Sequence, residues 1–392
     1  MKLLYLTGLS GRRVNGFMRS AILAAKEMNI DFTMVSNMTM ADKEGYKEDC
    51  AKYGIKALHI DLDRNPLGKS NKKAYKQLYE ILGDGYDVIH CNTPTGGVLG
   101  RLCAHAINKK RAQNGQKAIY VIYQAHGFHF WKGAPKKNWI LYYPVEKLLA
   151  HYTNILVTIN QEDFKTAMKF RLGNYDGQKG KVFLSPGVGV NISDFQNVEI
   201  SREQKREELG VKPNQVLFLS VGELNENKNQ IILVRAMKKM NNIKTILLIA
   251  GEGENKSDLD AEVEKLGLEG SVKLLGYRND VKELMKASDC FLFSSFREGL
   301  PGALMEAMAS GLPCIASKIR GNIDALQDSE FMFEPDDIDG LVDLMKDMLD
   351  KGVREKEGKK NQERVQRFDI SKSIRMYKKI YTMVEKAIGE VQ

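Results

Sequence analysis

The chain has 392 residues, 43% of them hydrophobic and 28% charged, with a formal net charge of +9. That length is enough for two domains that each bury a core, and the composition is that of a soluble globular protein. No apolar run approaches the roughly 20 residues that span a bilayer, and five cysteines, odd in number and without CxxC spacing, fit a reducing, cytoplasmic setting best.

The charge is uneven. Residues 1–190 hold 28 Lys and Arg against 15 Asp and Glu, a balance of +13, while the remainder holds 31 against 35. An anionic partner for the first half is the expectation, with a chance imbalance in a lysine-rich chain as the plainer reading.

In chain order, MKLLYLTGLSG reads as a first strand, Leu3–Leu6, rather than a signal peptide, since an arginine-bearing loop follows and no cleavage site does. The loop T-G-L-S-G-R-R-V-N-G opens a helix over about Phe17–Met28. Gly8, Gly11 and Gly16 do not fit the GxGxxG dinucleotide fingerprint, although a loop between strand and helix suits a diphosphate. Val88–Cys91 and Ile119–Gln124 continue the alternation of strands and helices that a parallel sheet requires. The first leads into N-T-P-T-G-G, the second into A-H-G-F-H-F. That second turn places His126 and His129 at the C-terminal end of a strand, where open α/β sheets bind ligands. A structural imidazole and a metal pair are the alternatives, and no third ligand lies nearby in sequence.

Phe128–Tyr143 gathers both tryptophans, Trp131 and Trp139, among Lys132, Lys136 and Lys137. Aromatic rings beside lysines favour a membrane interface. The plainer reading is a loop whose rings fold back on the domain. Strands at Ile155–Ile159 and Lys181–Leu184 precede S-P-G-V-G-V-N, which reads as a hinge.

A second sheet begins at Val216–Val221 and turns through G-E-L-N-E-N-K-N-Q, which contains Glu223 and Lys228. Thr245–Ala250 ends in G-E-G-E, without the third glycine of a dinucleotide site. Val272–Leu275 leads into G-Y-R-N-D-V, where Arg278 either meets a ligand or pairs with Asp280. Three D-x-D strings follow no strand convincingly, so a metal-dependent reading is set aside.

The most informative stretch is Asp289–Ser317. It reads as strand Phe291–Phe293, a polar loop, Pro301 at the first helical position, helix Ala303–Ala309, Gly311 as its left-handed end and strand Pro313–Ser317. Glu298 lies in the loop and Glu306 in the helix. The amides of Gly302 and Ala303 stand at the positive end of the helix dipole, a site for phosphate or hydroxyl oxygens. Carboxylates there accept hydrogen bonds from sugar hydroxyls, worth about 1.5–3 kcal/mol each; the plainer reading is two solvated surface residues. Near the C-terminus, Ile374, Tyr377, Ile380, Tyr381, Val384 and Ile388 form a helical apolar stripe.

The string E-G-L-P-G-A-L-M-E-A-M-A-S-G-L-P resembles the motif of the retaining nucleotide-sugar glycosyltransferases of family four, the group-1 enzymes of bacterial surface polysaccharide assembly. Their motif is a glutamate, seven residues, a second glutamate, then Ala-Met-Ala, a glycine and a proline. The resemblance implies an α/β chain of GT-B architecture. Two facing Rossmann-like domains would span 1–188 and 189–371, and a helix over 372–392 would cross back to the first. It implies a nucleotide-diphosphate sugar as donor, with UDP expected, while the basic first half and the Phe128–Tyr143 segment point to a lipid-linked glycan as acceptor. No metal, no further cofactor and no nucleic acid are expected, and the location is cytoplasmic, on the inner face of the membrane.

Carried over by position, Lys228 meets the diphosphate, Glu298 the transferred sugar and Glu306 the ribose. Gly299, Leu300, Gly302, Ala303 and Leu304 line the donor, and Arg278 sits where the base is read. His126 lies close to the reacting sugar, and Gly16 lets the backbone approach donor and acceptor. Two departures stand out. Glu223 replaces the family's usual arginine, with Arg297 as a substitute cation, and Pro301 replaces a common glycine. The competing readings are a nucleotide-sugar epimerase of the same fold, a dinucleotide-dependent oxidoreductase and a non-catalytic sugar-nucleotide binder.

Overall fold

Segments such as KLLYLTGL and VLFLSV are apolar at nearly every position, the composition of strands covered on both faces. In the computed structural model, which describes residues 1–11, 13–14 and 16–389 and only the backbone at 16 and 17, they lie at the centres of two parallel sheets. The chain divides into two units. Unit 1 is Met1–Gly189 with the segment from Ile370 onward, and unit 2 is Val190–Asp369.

Unit 1 contains β1 (Lys2–Leu9), β2 (Asp31–Asn37), β3 (Lys56–His59), β4 (Val88–Asn92), β5 (Tyr120–Gln124), β6 (Ile155–Thr158) and β7 (Lys181–Leu184). Their order is β3-β2-β1-β4-β5-β6-β7, parallel throughout. The sequence reading had no strand at β2 or β3. Among the helices, α1 (Gly16–Glu27), α2 (Pro94–Gln113) and α3 (Lys136–Leu149) belong to this unit. Strand alternation sends Leu4, Leu6, Ile89 and Cys91 to a core shared with Cys103, Ala104 and Ile107 of α2. Leu3, Tyr5, Val88 and Ile122 join Met18, Ala21 and Ile22 of α1 in a second core. Each large side chain buried in this way contributes about 1.5–3 kcal/mol.

Unit 2 repeats the plan. Its strands are β8 (Val216–Val221), β9 (Thr245–Ala250), β10 (Val272–Gly276), β11 (Cys290–Phe293), β12 (Cys314–Ser317) and β13 (Met332–Phe333), in the parallel order β10-β9-β8-β11-β12-β13. Helix α4 (Gln230–Met240) covers one face through Leu233, Ala236 and Met237. Helix α5 (Gly302–Ala309) covers the other through Leu304, Met305 and Met308.

The chain then returns to unit 1 as α6 (Ile370–Gly389). Tyr377, Ile380, Tyr381 and Val384 are buried in the core that holds α1, while Ile374 and Ile388 are only partly covered. Two hydroxyls fix the register: Tyr377 donates to Gln124 Oε1 at 2.5 Å, and Tyr381 lies 3.1 Å from His90 Nδ1. At the crossing only glycine fits position 189, because φ is +79° and a Cβ would lie 2.7 Å from Ile370 Cα.

In both units the strand order reverses beside the first strand, between β1 and β4 and between β8 and β11. The loops leaving the C-terminal ends of such neighbours part in opposite directions and leave a crevice. Among the described residues, no helix is long and apolar enough to cross a membrane.

Candidate functional site

In unit 2 the crevice is built from three loops. The loop after β8 lies backbone to backbone against the loop after β9, with Leu224 N donating to Glu252 O at 2.8 Å. This closeness explains the glycines of G-E-G-E. A Cβ on Gly251 would fall 1.8 Å from Gly222 O, and one on Gly253 would fall 2.1 Å from Leu224 O. Asn225 caps a single helical turn by accepting from Lys228 N at 3.1 Å, and Asn229 turns left-handed (φ 51°) into α4.

That geometry aims Lys228 Nζ at Glu298 Oε1, 2.7 Å away, and sets it 5.2 Å from the Phe293 ring centre. Both side chains are largely covered, 23% and 15% exposed. The loop carrying Glu298 is fastened on every side. Phe296 N donates to Asn227 O at 2.8 Å, Asn227 Nδ2 to Arg297 O at 3.0 Å, and Ser294 Oγ to Lys228 O at 2.8 Å. Arg320 Nε donates to Glu298 O at 3.3 Å. A side chain at Gly321 would press within 2.7 Å of Gly299 O.

Pro301, expected at the first helical position, stands one residue outside helix α5. Pro301 is its N-cap, with an extended ψ of 118°, and Gly302 is the first helical residue. The amides of Gly302, Ala303 and Leu304 have no side-chain cap, and the space where a Gly302 Cβ would stand is open. These are the donors a helix leaves for an anion or a hydroxyl. Glu306 is the second carboxylate of the motif. Burial raises its carboxyl above the usual range, opposed by the charge of Lys282, and no donor among the described residues bonds to it.

Arg278 takes the alternative the sequence left open: its Nε donates to Asp280 Oδ1 at 2.7 Å, and Lys205 also reaches Asp280 at 2.7 Å. The Arg278 guanidinium holds the Asp280 carboxyl well below the usual range, against the opposing effect of burial, and Lys205 adds to the lowering. Glu223 and Arg297 are exposed, whereas the Lys228 side chain lies in the covered part of the crevice.

In unit 1 the crevice brings together the ends of β1, β4 and β5. His126 Nε2 lies 3.0 Å from Asn92 Oδ1, which also accepts from Tyr5 OH at 3.2 Å. Asn92 Nδ2 faces the carbonyls of Leu6 and His90, so its oxygen is the atom turned to the imidazole. Nε2 therefore carries the hydrogen and Nδ1 the lone pair. Burial first, and neighbouring His90 second, push His126 down to about 3, so the ring is neutral at pH 7. His129, by contrast, packs its ring 4.8 Å from that of Tyr142. Among the described residues no group of three His, Cys, Asp or Glu is placed to hold a metal.

Sequence reasoning passed over Thr93. This non-glycine residue holds φ 64° and ψ 159°, a region nearly exclusive to glycine, at the mouth of α2. Its buried Oγ1 has no hydrogen-bond partner among the described residues, and it stands 3.3 Å from where a Gly8 Cβ would be. A residue before proline is normally extended with negative φ, so nothing in N-T-P announced this strain. Gly16 opens α1; Arg12 and Asn15 of the preceding loop lie outside the described residues.

The Phe128–Tyr143 segment is not a loop throughout, because α3 begins at Lys136. Trp139 packs 5.4 Å from Phe130 and 5.7 Å from Tyr143, and its Nε1 donates to Trp131 O at 3.2 Å. That ring folds back on the domain, whereas Lys132, Lys136 and Lys137 are exposed.

The family model described as "Glycosyl transferases group 1" matches residues 201–365, the part of unit 2 that holds Lys228, Glu298 and Glu306. EpsD of Bacillus subtilis, which carries a glycosyltransferase designation, is 38% identical over 277 residues, 69% of each chain. The chain belongs to the group 1 glycosyltransferases. An Escherichia coli relative of this group 1 enzyme is named UDP-Gal:alpha-D-GlcNAc-diphosphoundecaprenol alpha-1,3-galactosyltransferase; it is 31% identical over 301 residues, 74% of each chain. Among solved structures, HepE of Anabaena in complex with UDP and glucose superposes with a TM-score of 0.74 at 20% identity, over 98% of this chain and 100% of that one. The two parallel-sheet units and the returning helix of this glycosyltransferase are the GT-B fold, and its reaction is the transfer of a sugar.

Proposed function

We propose that the enzyme moves a hexose or N-acetylhexosamine from a UDP-sugar to a hydroxyl of a lipid-linked sugar, with retention and without a divalent metal, in surface glycan assembly at the inner face of the membrane. The observation that carries the reading is the pairing of Lys228 with Glu298 beside an uncapped helix N-terminus, with a desolvated Glu306 one turn into that helix. Breaking the bond between the anomeric carbon and the diphosphate leaves negative charge on the phosphate. A preorganised cation and amides in a covered site stabilise that charge as it develops. In this reading Lys228, with Arg297 as an outer contact, and the amides of Gly302, Ala303 and Leu304 do so, which leaves no step that needs a metal.

Glu298 accepts hydroxyls of the transferred sugar, with Gly299 and Leu300 alongside, and Glu306 accepts those of the ribose. The backbone near Arg278 meets the base, since the Arg278 side chain is held by Asp280. The acceptor oxygen bonds to the anomeric carbon on the face the diphosphate vacates, and a leaving phosphate oxygen takes the acceptor proton. In unit 1, Gly16 gives room for substrate, and His126, neutral at pH 7, lies close to the reacting sugar. The UDP-Gal and diphosphoundecaprenol in the E. coli relative's name support donor and acceptor class, and the UDP in the solved neighbour supports the nucleotide alone.

A screen of nucleotide-sugars against undecaprenyl-diphosphate-linked acceptors, with and without EDTA, tests the proposal. Transfer from a UDP-sugar that persists in EDTA and gives the donor's anomeric configuration by NMR is the expected result. Loss in EDTA restored by magnesium, or an inverted product, overturns the corresponding part.

A further inference from the structure

Helix α3 carries four aliphatic residues on the side away from the core. Of its 14 residues only Leu149 is buried, while Ile140 is 72% exposed, Leu141 60%, Val145 43% and Leu148 60%. Spacings of one, four, five and eight put these four on a single stripe of the helix. The orientation is locked from inside. Glu146 accepts from Arg101 Nη1 at 2.8 Å and from Tyr123 OH at 3.1 Å, and Arg101 is 1% exposed. Trp139 and Tyr143 pack inward on Phe130. The helix cannot roll its stripe inward without pulling a buried ion pair apart.

We propose that this stripe docks on an anionic lipid leaflet, with Ile140, Leu141, Val145 and Leu148 entering the acyl boundary. Charge selects this occupant. Lys137 continues the stripe one turn earlier, and Lys136 and Lys147 border it. Residues 101–150 hold nine Lys and Arg and one acid, Glu146, which is spent on Arg101. A second copy of the chain would bring these lysines against their own kind, whereas lipid phosphates answer them. The helix is too short to span a bilayer and lies in its surface. The inference deepens the lipid-linked acceptor reading and rests on it.

The test is co-sedimentation with phosphatidylglycerol-containing and pure phosphatidylcholine vesicles, without donor or acceptor. Wild type is expected to partition to the anionic vesicles. The variant Lys136→Gln/Lys137→Gln/Lys147→Gln should lose about fivefold per lysine, and Ile140→Ser/Leu141→Ser/Leu148→Ser should fall to the level of neutral vesicles. Because Trp131 and Trp139 are the only tryptophans, quenching of wild-type fluorescence by bromolipid reports this segment without any variant. Absent quenching, wild-type binding equal on both vesicle types, or a serine variant that binds like wild type overturns the proposal. A concentration-dependent dimer abolished by the serine variant assigns the stripe to a second copy and overturns it too. Transfer to a water-soluble acceptor glycoside, measured separately, distinguishes a failed docking surface from a wrong acceptor class: all variants should retain it.

Discussion

Lys228 Nζ and Glu298 Oε1 meet at 2.7 Å although 70 residues separate them in sequence. Without nucleotide, the carboxylate balances the ammonium and keeps it extended over the crevice. An ammonium has three donors, so it can receive a diphosphate oxygen and keep its carboxylate. Lys228→Met should therefore weaken UDP binding roughly ten- to hundredfold, the range of a charged hydrogen bond. Glu298→Gln should leave that affinity within about threefold and slow transfer by about ten- to hundredfold. Calorimetry with UDP, set beside turnover, separates the two, and equal loss of affinity in both variants would remove the division of roles.

Glu306 is expected to trade stability for binding. Its raised carboxyl means that the folded state prefers the neutral form. The stability this group contributes is present below the ordinary carboxylate range and is lost as pH rises through the raised value. Glu306→Gln should thus melt higher than wild type at pH 7, with the gap closing towards pH 5, while UDP binds roughly tenfold more weakly. Melting curves at both pH values and one calorimetric titration check this. Unchanged affinity would end the ribose assignment.

His126 should be silent in the pH–rate profile between 5 and 8, since it titrates near 3. The sign for stability is the reverse of that for Glu306: a depressed imidazole stabilises the fold above its usual 6.5 and loses that contribution as pH falls towards 3. His126→Ala should remove transfer and leave UDP affinity intact. Asn92→Asp places a carboxylate 3.0 Å from Nε2, raising the imidazole, and should introduce a new inflection into the profile. A profile identical to wild type would mean that Asn92 does not set the state of His126.

Gly253→Ala should cost about 3 kcal/mol or more, because its Cβ would meet Leu224 O at 2.1 Å and backbone cannot step aside cheaply. Denaturant unfolding measures it. UDP affinity should fall as well, since the same contact holds the loop that aims Lys228. A variant as stable as wild type would show that the two loops separate easily.

The unit 2 site was legible because its motif is contiguous: loop, helix terminus and both glutamates fall within Arg297–Glu306. Unit 1 was less so, because its crevice is assembled from three loops far apart in sequence. The strand DFTMVSN escaped notice because its polar residues are needed inside, where Ser36 bonds Ser10 at 2.6 Å. KALH is a short, mostly exposed edge strand. Helix α3 was hidden by Pro144 in its interior and by apolar residues on both its inward and its outward faces, which blur the helical period. The backbone of Thr93 and the facing of the Asn92 amide are products of tertiary packing, and no local pattern encodes them.

The return of the chain at Ile370 has a consequence for biosynthesis. Tyr377, Ile380, Tyr381 and Val384 complete the core that Leu3, Tyr5 and Ile122 begin, yet the ribosome makes them only after all of unit 2. The nascent unit 1 must wait with an open apolar groove along α1, while unit 2 has every one of its strands in hand before α6 emerges. Order of completion thus runs against order of synthesis: the half that starts first is sealed last, and a ribosome stalled before residue 370 leaves an adhesive fragment for chaperones or proteases.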